Sequence, residues 1–256
     1  MPDLPLTSLA SAIPVIAAFL IACAGFVALK RLVPGLWPAP ASTHSNRPLI
    51  DLGLCLLALA GVVVLRDAYR SGFLLSADQV GWVRKVAWFL DNFMVCSPIF
   101  AVLAVRQQGM GTILLSTQAL PWKVLVGIAL GIAGTFVYLQ LRGEAARWPE
   151  VLEQICSWDG CADVVLVLFG GIVLAFLIVR LRWALGPAGL AVAALALGCF
   201  YVIVEQHEGR AAREMAALFM LIMASTAASL FVVQRSNDVL WAAIVYYFVE
   251  AAIRIG

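Results

Sequence analysis

The chain has 256 residues, 63% of them hydrophobic and only 12% charged, with a formal net charge of +2 and a mean hydropathy of +0.98. An ordinary soluble domain is about half apolar and about a quarter charged, so this chain cannot cover its surface with polar side chains, and lipid must surround most of it. The small net charge offers no electrostatic case for nucleic acid. Long apolar runs without two-residue alternation select helices over a closed barrel as the membrane-spanning element.

A span needs about 20 apolar residues to cross the hydrocarbon layer. The runs predict spans at 13–29, 49–65, 86–105, 124–141, 164–179, 185–204, 215–233 and 239–253. The second and eighth are the weakest, because Asp51 and Glu250 interrupt them. The longest polar stretches, 30–48, 67–85 and 142–163, are too short for a separate domain, so residues 1–256 read as one all-α, polytopic membrane bundle of about eight helices. Asp3 is the sole charge before the first run, and without a basic region this does not read as a secretory signal. The sequence Leu20-Ile21-Ala22-Cys23 has the form of a lipoprotein cleavage box, but the same missing basic region favours a first span with an incidental cysteine.

Polar residues inside or beside the spans are the candidates for function, because an ionisable group in the bilayer is costly unless paired. Asp51 follows Arg47 by four residues and is expected to form an interfacial ion pair with it. Asp91 and Asn92 interrupt the third span; they either line a polar cavity or fix packing by an interhelical hydrogen bond, and packing is the preferred reading. Gly127, Gly131 and Gly134 put a stripe of small residues on the fourth span, which allows close helix approach. Residues 142–153 hold five charges with Trp148 and Val151 between them, in keeping with either a surface-lying amphipathic stretch or a solvated loop. Trp82, Trp88, Trp122, Trp148, Trp158, Trp183 and Trp241 fall near span ends, as in an interfacial aromatic belt.

Cys156 and Cys161 share the polar segment between spans 4 and 5 and read equally as a short-loop disulfide or as two free thiols; their spacing is not Cys-x-x-Cys. Two thiols with one distant histidine make no zinc ligand set, and no cofactor is expected. With alternating span directions, Asp163, Glu205, His207 and Glu250 all fall on the face that carries these cysteines. They are either a carboxylate–histidine site for water activation or metal binding, or else Asp163, Glu205 and His207 are solvated helix ends while Glu250 pairs with Arg254 one turn on or faces the bundle interior. Lys and Arg residues sort eight to nine between the two faces, and the flanks of the first span (Asp3 before it, Lys30 and Arg31 after) tip the N-terminus outward.

From Arg106 onward the layout resembles the CPBP family of intramembrane proteases, the CAAX-processing and bacteriocin-processing enzymes. The stretches that carry the resemblance are RQQGMGTILLSTQALPWKVLVGIALGIAG, ADVVLVLFGGIVLAFLIVRLRWALGPAGLAVAALALGCFYVIVEQH and SLFVVQRSNDVLWAAIVYYFVEAA. Phe169-Gly170-Gly171 falls where the family has Phe-Arg-Gly, and Arg182-Trp183-Ala184-Leu185-Gly186-Pro187 falls on its Arg-x-x-x-Gly-Pro turn. Phe200 matches the Phe of Phe-x-x-x-His. The resemblance implies an eight-helix protease fold. The family's paired glutamates, however, correspond to Val165 and Leu166, its arginine to Gly170, its second-motif histidine to Val204, and its last His and Asn to about Tyr246 and Glu250. Valine and leucine cannot activate water or stabilise developing charge.

No Gly-x-Gly-x-x-Gly, P-loop, His-Glu-x-x-His or Gly-x-Ser-x-Gly motif occurs. The reading is thus a bacterial-type inner-membrane protein with a degenerate protease site, which binds a membrane protein or a hydrophobic peptide within the lipid bilayer. The alternatives are an active peptidase using Glu205, His207 and Glu250, and a small transporter or channel lined by Asp91 and Asn92.

Overall fold

The computed structural model describes residues 9–34, 45–70, 81–115, 119–204 and 212–255, and within them every regular element is helical. The helices are α1 (Leu9–Leu32), α2 (Pro48–Arg70), α3 (Gly81–Val95), α4 (Ser97–Val105), α5 (Leu120–Arg142), α6 (Trp148–Cys156), α7 (Trp158–Leu185), α8 (Ala188–Val204), α9 (Ala212–Ser236) and α10 (Leu240–Ile255). Each expected span coincides with a helix, except the third, which is the pair α3 and α4. Four helices are long and apolar enough to cross a membrane, and the bent pair would make a fifth. At 16 residues, α10 reaches only about 24 Å, short of the roughly 30 Å of hydrocarbon. The described residues thus form an all-helical fold with several helices suited to a membrane.

The bend of 48° between α3 and α4 has a local cause. Pro98 sits in the first turn of α4, where its missing N–H and its ring stop α3 from continuing. Gly61 of α2 leaves room for the ring: a Cβ there would lie 3.1 Å from Pro98 Cγ.

Large apolar side chains face outward along α2 (Leu56, Leu57, Val63, Val64) and α3 (Trp82, Val86, Phe89, Phe93), as a lipid-facing surface requires. The centre of the bundle is α10, which packs against α5, α7, α1 and α6 and is buried at nearly every position from Ala243 to Ala252. A helix apolar on all sides is one enclosed by its neighbours. The expected glycine stripe of α5 does this enclosing. A Cβ on Gly131 would lie 2.7 Å from Phe248 Cγ, one on Gly127 would meet Ile244 at 3.0 Å, and one on Gly134 would lie 3.2 Å from the Ala18 carbonyl oxygen of α1. Gly131→Ala should therefore destabilise the bundle by about 1–3 kcal/mol through overpacking. Gly170→Ala, at a helical position with nothing within 4 Å, should be neutral or slightly stabilising. Thermal unfolding of the two variants followed by size-exclusion fluorescence decides it; equal midpoints would remove the stripe from the packing.

After α4 the chain turns back into the bundle at Thr112–Leu114. A 3-10 turn over Met110–Ile113 tucks Ile113 among Cys55, Leu103 and Phe176, while Leu114 packs with Phe26 and Trp241. Gln107, Leu114 and Ala119 adopt left-handed backbone, with φ of 51, 56 and 54°. That conformation costs a non-glycine residue about 1–2 kcal/mol, so the fold of this segment is imposed by what it touches.

One tryptophan departs from the aromatic belt. Trp82 and Trp122 are exposed, but Trp241 is 1% exposed, stacks on Phe26 with ring centroids 4.5 Å apart, and donates from Nε1 to Ser236 Oγ at 3.0 Å. The turn before α10 folds back into the bundle and takes its tryptophan inward.

Candidate functional site

Polar side chains gather at the two ends of the bundle. At one end α7 begins and α10 finishes. Arg254 of α10 bonds Asp163 of α7 through Nη1 and Glu250, one turn earlier, through Nη2 at 2.8 Å. The i,i+4 pairing of Glu250 with Arg254 is as the sequence leads one to expect; the recruitment of Asp163 to the same guanidinium adds a link between two helices. Beside it, Tyr247 donates to the Ile155 carbonyl of α6 at 3.0 Å. Gln154, Asp163, Tyr247, Glu250, Ala251 and Arg254 line a shallow crevice. Tyr246 stacks on Phe19 at 5.7 Å, and its buried hydroxyl has no hydrogen-bond partner among the described residues.

Of the four residues expected to share this face, Asp163 and Glu250 come together, and Glu205 and His207 lie outside the described residues. Cys156 ends α6 as an exposed free thiol; the side chain of Cys161 lies outside the described residues. Among the described residues no three His, Cys, Asp or Glu side chains are grouped to hold a metal ion. Val165 and Phe169, which the expected resemblance would set on motif positions, pack in an apolar cluster with Cys96 and Phe176. Asp91 is fully buried on α3, and Asn92 donates from Nδ2 to the Trp88 carbonyl of its own helix at 2.8 Å.

The opposite end holds a denser network. There α2, α5 and α10 begin and α1, α4, α7 and α9 finish, tied by Lys30 Nζ donating to the Arg235 carbonyl at 2.8 Å. Asp51, 2% exposed, pairs with Arg106 at 2.7 Å and accepts from Ser45 Oγ. The expected partner, Arg47, precedes the helix, whereas Arg106 at the end of α4 reaches the buried carboxylate directly. Lys123 and Asp238 form a second ion pair, each side chain 1% exposed. Asp238 also accepts from Leu240 N at 2.7 Å, which caps the start of α10.

Arg180 is the third member and is fully buried on α7. Its Nη1 donates to the Thr112 carbonyl at 2.6 Å; its Nη2 donates to Gln108 Oε1 at 2.6 Å and to Thr112 Oγ1 at 3.3 Å. The guanidinium lies over the rings of Phe176 and Trp183, 4.0 and 5.0 Å from their centroids. Its Nε has no hydrogen-bond partner among the described residues. Lys123, Arg180 and Asp238 were not among the sequence candidates, because each borders an apolar run and so reads as a loop charge.

No family model, curated protein or solved structure matches the chain.

Proposed function

We propose that the chain is an eight-span inner-membrane protein built like the CPBP proteases, which binds a hydrophobic peptide or a membrane partner without cleaving it. The observation that carries this reading is the Arg254 clasp: both described acids near the resembled motif positions, Asp163 and Glu250, are engaged by one guanidinium. A peptidase of that design needs a carboxylate poised on water. Val165, Gly170 and Val204 stand where its other polar groups would be, which supports the same reading.

Burial supports one orientation. Lys123 and Arg180 are both buried, so they drop out of the loop charges of their face. Six basic residues then remain there against nine on the other face, and the positive-inside bias favours a cytosolic Arg254 end. That reverses the outward tip given by the first span and agrees with the side from which CAAX-processing enzymes open.

The test is binding and cleavage of the same probes by protein in lipid nanodiscs. Fluorescent prenylated CAAX peptides and bacteriocin leader peptides should bind saturably and remain intact over hours, with Glu250→Gln and wild type alike. Cleavage by the wild type that Glu250→Gln abolishes would establish the active-peptidase alternative instead.

A further inference from the structure

We propose that residues 106–115 form a strap over the Arg180 end of the bundle, latched by the Arg180 guanidinium, and that unlatching opens the apolar interior between α2, α4 and α7 to water. The strap's described polar attachments are few. Arg180 bonds it at Gln108 and Thr112, Arg106 pairs with Asp51, and Val239 N donates to the Leu114 carbonyl at 2.8 Å. Two of its non-glycine residues, Gln107 and Leu114, are left-handed, so lifting the strap releases backbone strain that its contacts now hold. Beneath it lies a cluster with Cys55, Cys96, Ile99 and Phe176, into which the strap inserts Ile113.

The charges allow a second arrangement. A buried cation cannot lose its acceptors without gaining others. Asp51, in the first turn of α2, pairs with Arg106, two residues along the chain from Gln108, which Arg180 bonds. Asp51 is held in the closed state by Arg106, the first residue of the strap. When the strap lifts it takes Arg106 with it, and Arg180 takes over the carboxylate that Arg106 leaves. Both states keep Asp51 paired, and Arg106, already partly exposed, goes to water. This exchange, and not a softening of the whole bundle, is what the strap requires. It is independent of whether the protein binds a partner or cleaves one.

Cys55 reports the motion, since it is fully buried under the strap with its thiol facing the Phe176 carbonyl, while Cys156 is exposed at the far end. Only a hydrated thiol ionises and reacts with maleimide. Labelling of the full-length protein in nanodiscs, read by peptide mass spectrometry, gives the Cys55 rate relative to Cys156. Gln108→Ala removes one latch acceptor, and Arg106→Gln frees Asp51 for Arg180. Each should raise the relative Cys55 rate about ten-fold, the effect of losing one charge-assisted hydrogen bond when labelling follows the open population. Gly131→Ala, on the α5–α10 contact, should leave that ratio unchanged. Wild-type rates in Gln108→Ala would overturn the strap. So would an equal rise in Gly131→Ala, because labelling would then follow general unfolding.

Discussion

Asp238→Asn should cost about 3–5 kcal/mol of stability, the usual result of stripping one partner from a buried ion pair. Asparagine keeps a side-chain oxygen for Leu240 N, which Asp238 now caps at 2.7 Å, so the loss isolates the charge at Lys123. Lys123→Met should cost a comparable amount by leaving the carboxylate without its counter-charge. Either survivor can shed its charge by proton exchange with the surroundings, which limits the damage. The combination Lys123→Met with Asp238→Asn should recover most of the loss, since neither charge then remains in a site where both side chains are 1% exposed. Thermal midpoints of the four proteins, read as a double-mutant cycle, measure the coupling. Additive losses in the double variant would mean that Lys123 and Asp238 act separately.

The helices were legible from the sequence because lipid imposes a long, unbroken apolar run on whatever it surrounds. All eight runs became helices, and α3 and α4 divided one of them at a proline. The polar network was much less legible, for a specific reason. A charge reads as the end of an apolar run, so the expected spans stop at Val179 and start at Val124, one residue away from Arg180 and Lys123. The helices continue through those charges, α7 to Leu185 and α5 from Leu120, and fold both side chains inward. Arg180 stands five residues before the end of α7. A charge carried that far inside a helix needs an acceptor brought to it, and the connection 106–115 does so with the Thr112 carbonyl and the Gln108 amide. A sequence pattern marks neither that acceptor nor the buried turn, because Gln108, Thr112 and the left-handed Leu114 are ordinary loop residues until the tertiary fold places them. The ion pair of Glu250 with Arg254 was legible because one helical turn defines it. The reach of the same arginine to Asp163, 91 positions away, depends on helix packing and left no local trace.

Trp241→Ala should be the most destabilising single truncation in the apolar interior, at about 3–5 kcal/mol. Trp241 is the largest fully buried side chain among the described residues and lies against Phe26 of α1 with the ring planes 10° apart. Removing it leaves a cavity where α1, α5 and α10 meet beside Leu114 of the strap. Trp241→Phe keeps the stacked ring and loses the Nε1 hydrogen bond to Ser236 Oγ, so its cost should be nearer 1 kcal/mol. Ser236 would retain its bond to the Val233 carbonyl at 2.8 Å, which keeps the turn closed in that variant. Intrinsic tryptophan fluorescence cannot separate eight tryptophans, so the measurement is the thermal midpoint of each variant in the same detergent. If alanine and phenylalanine shift it equally, the hydrogen bond dominates and the Phe26 stack contributes little. If alanine alone produces the large shift, ring burial anchors α10 to α1, and the inward turn at Asn237 exists to bring that ring home.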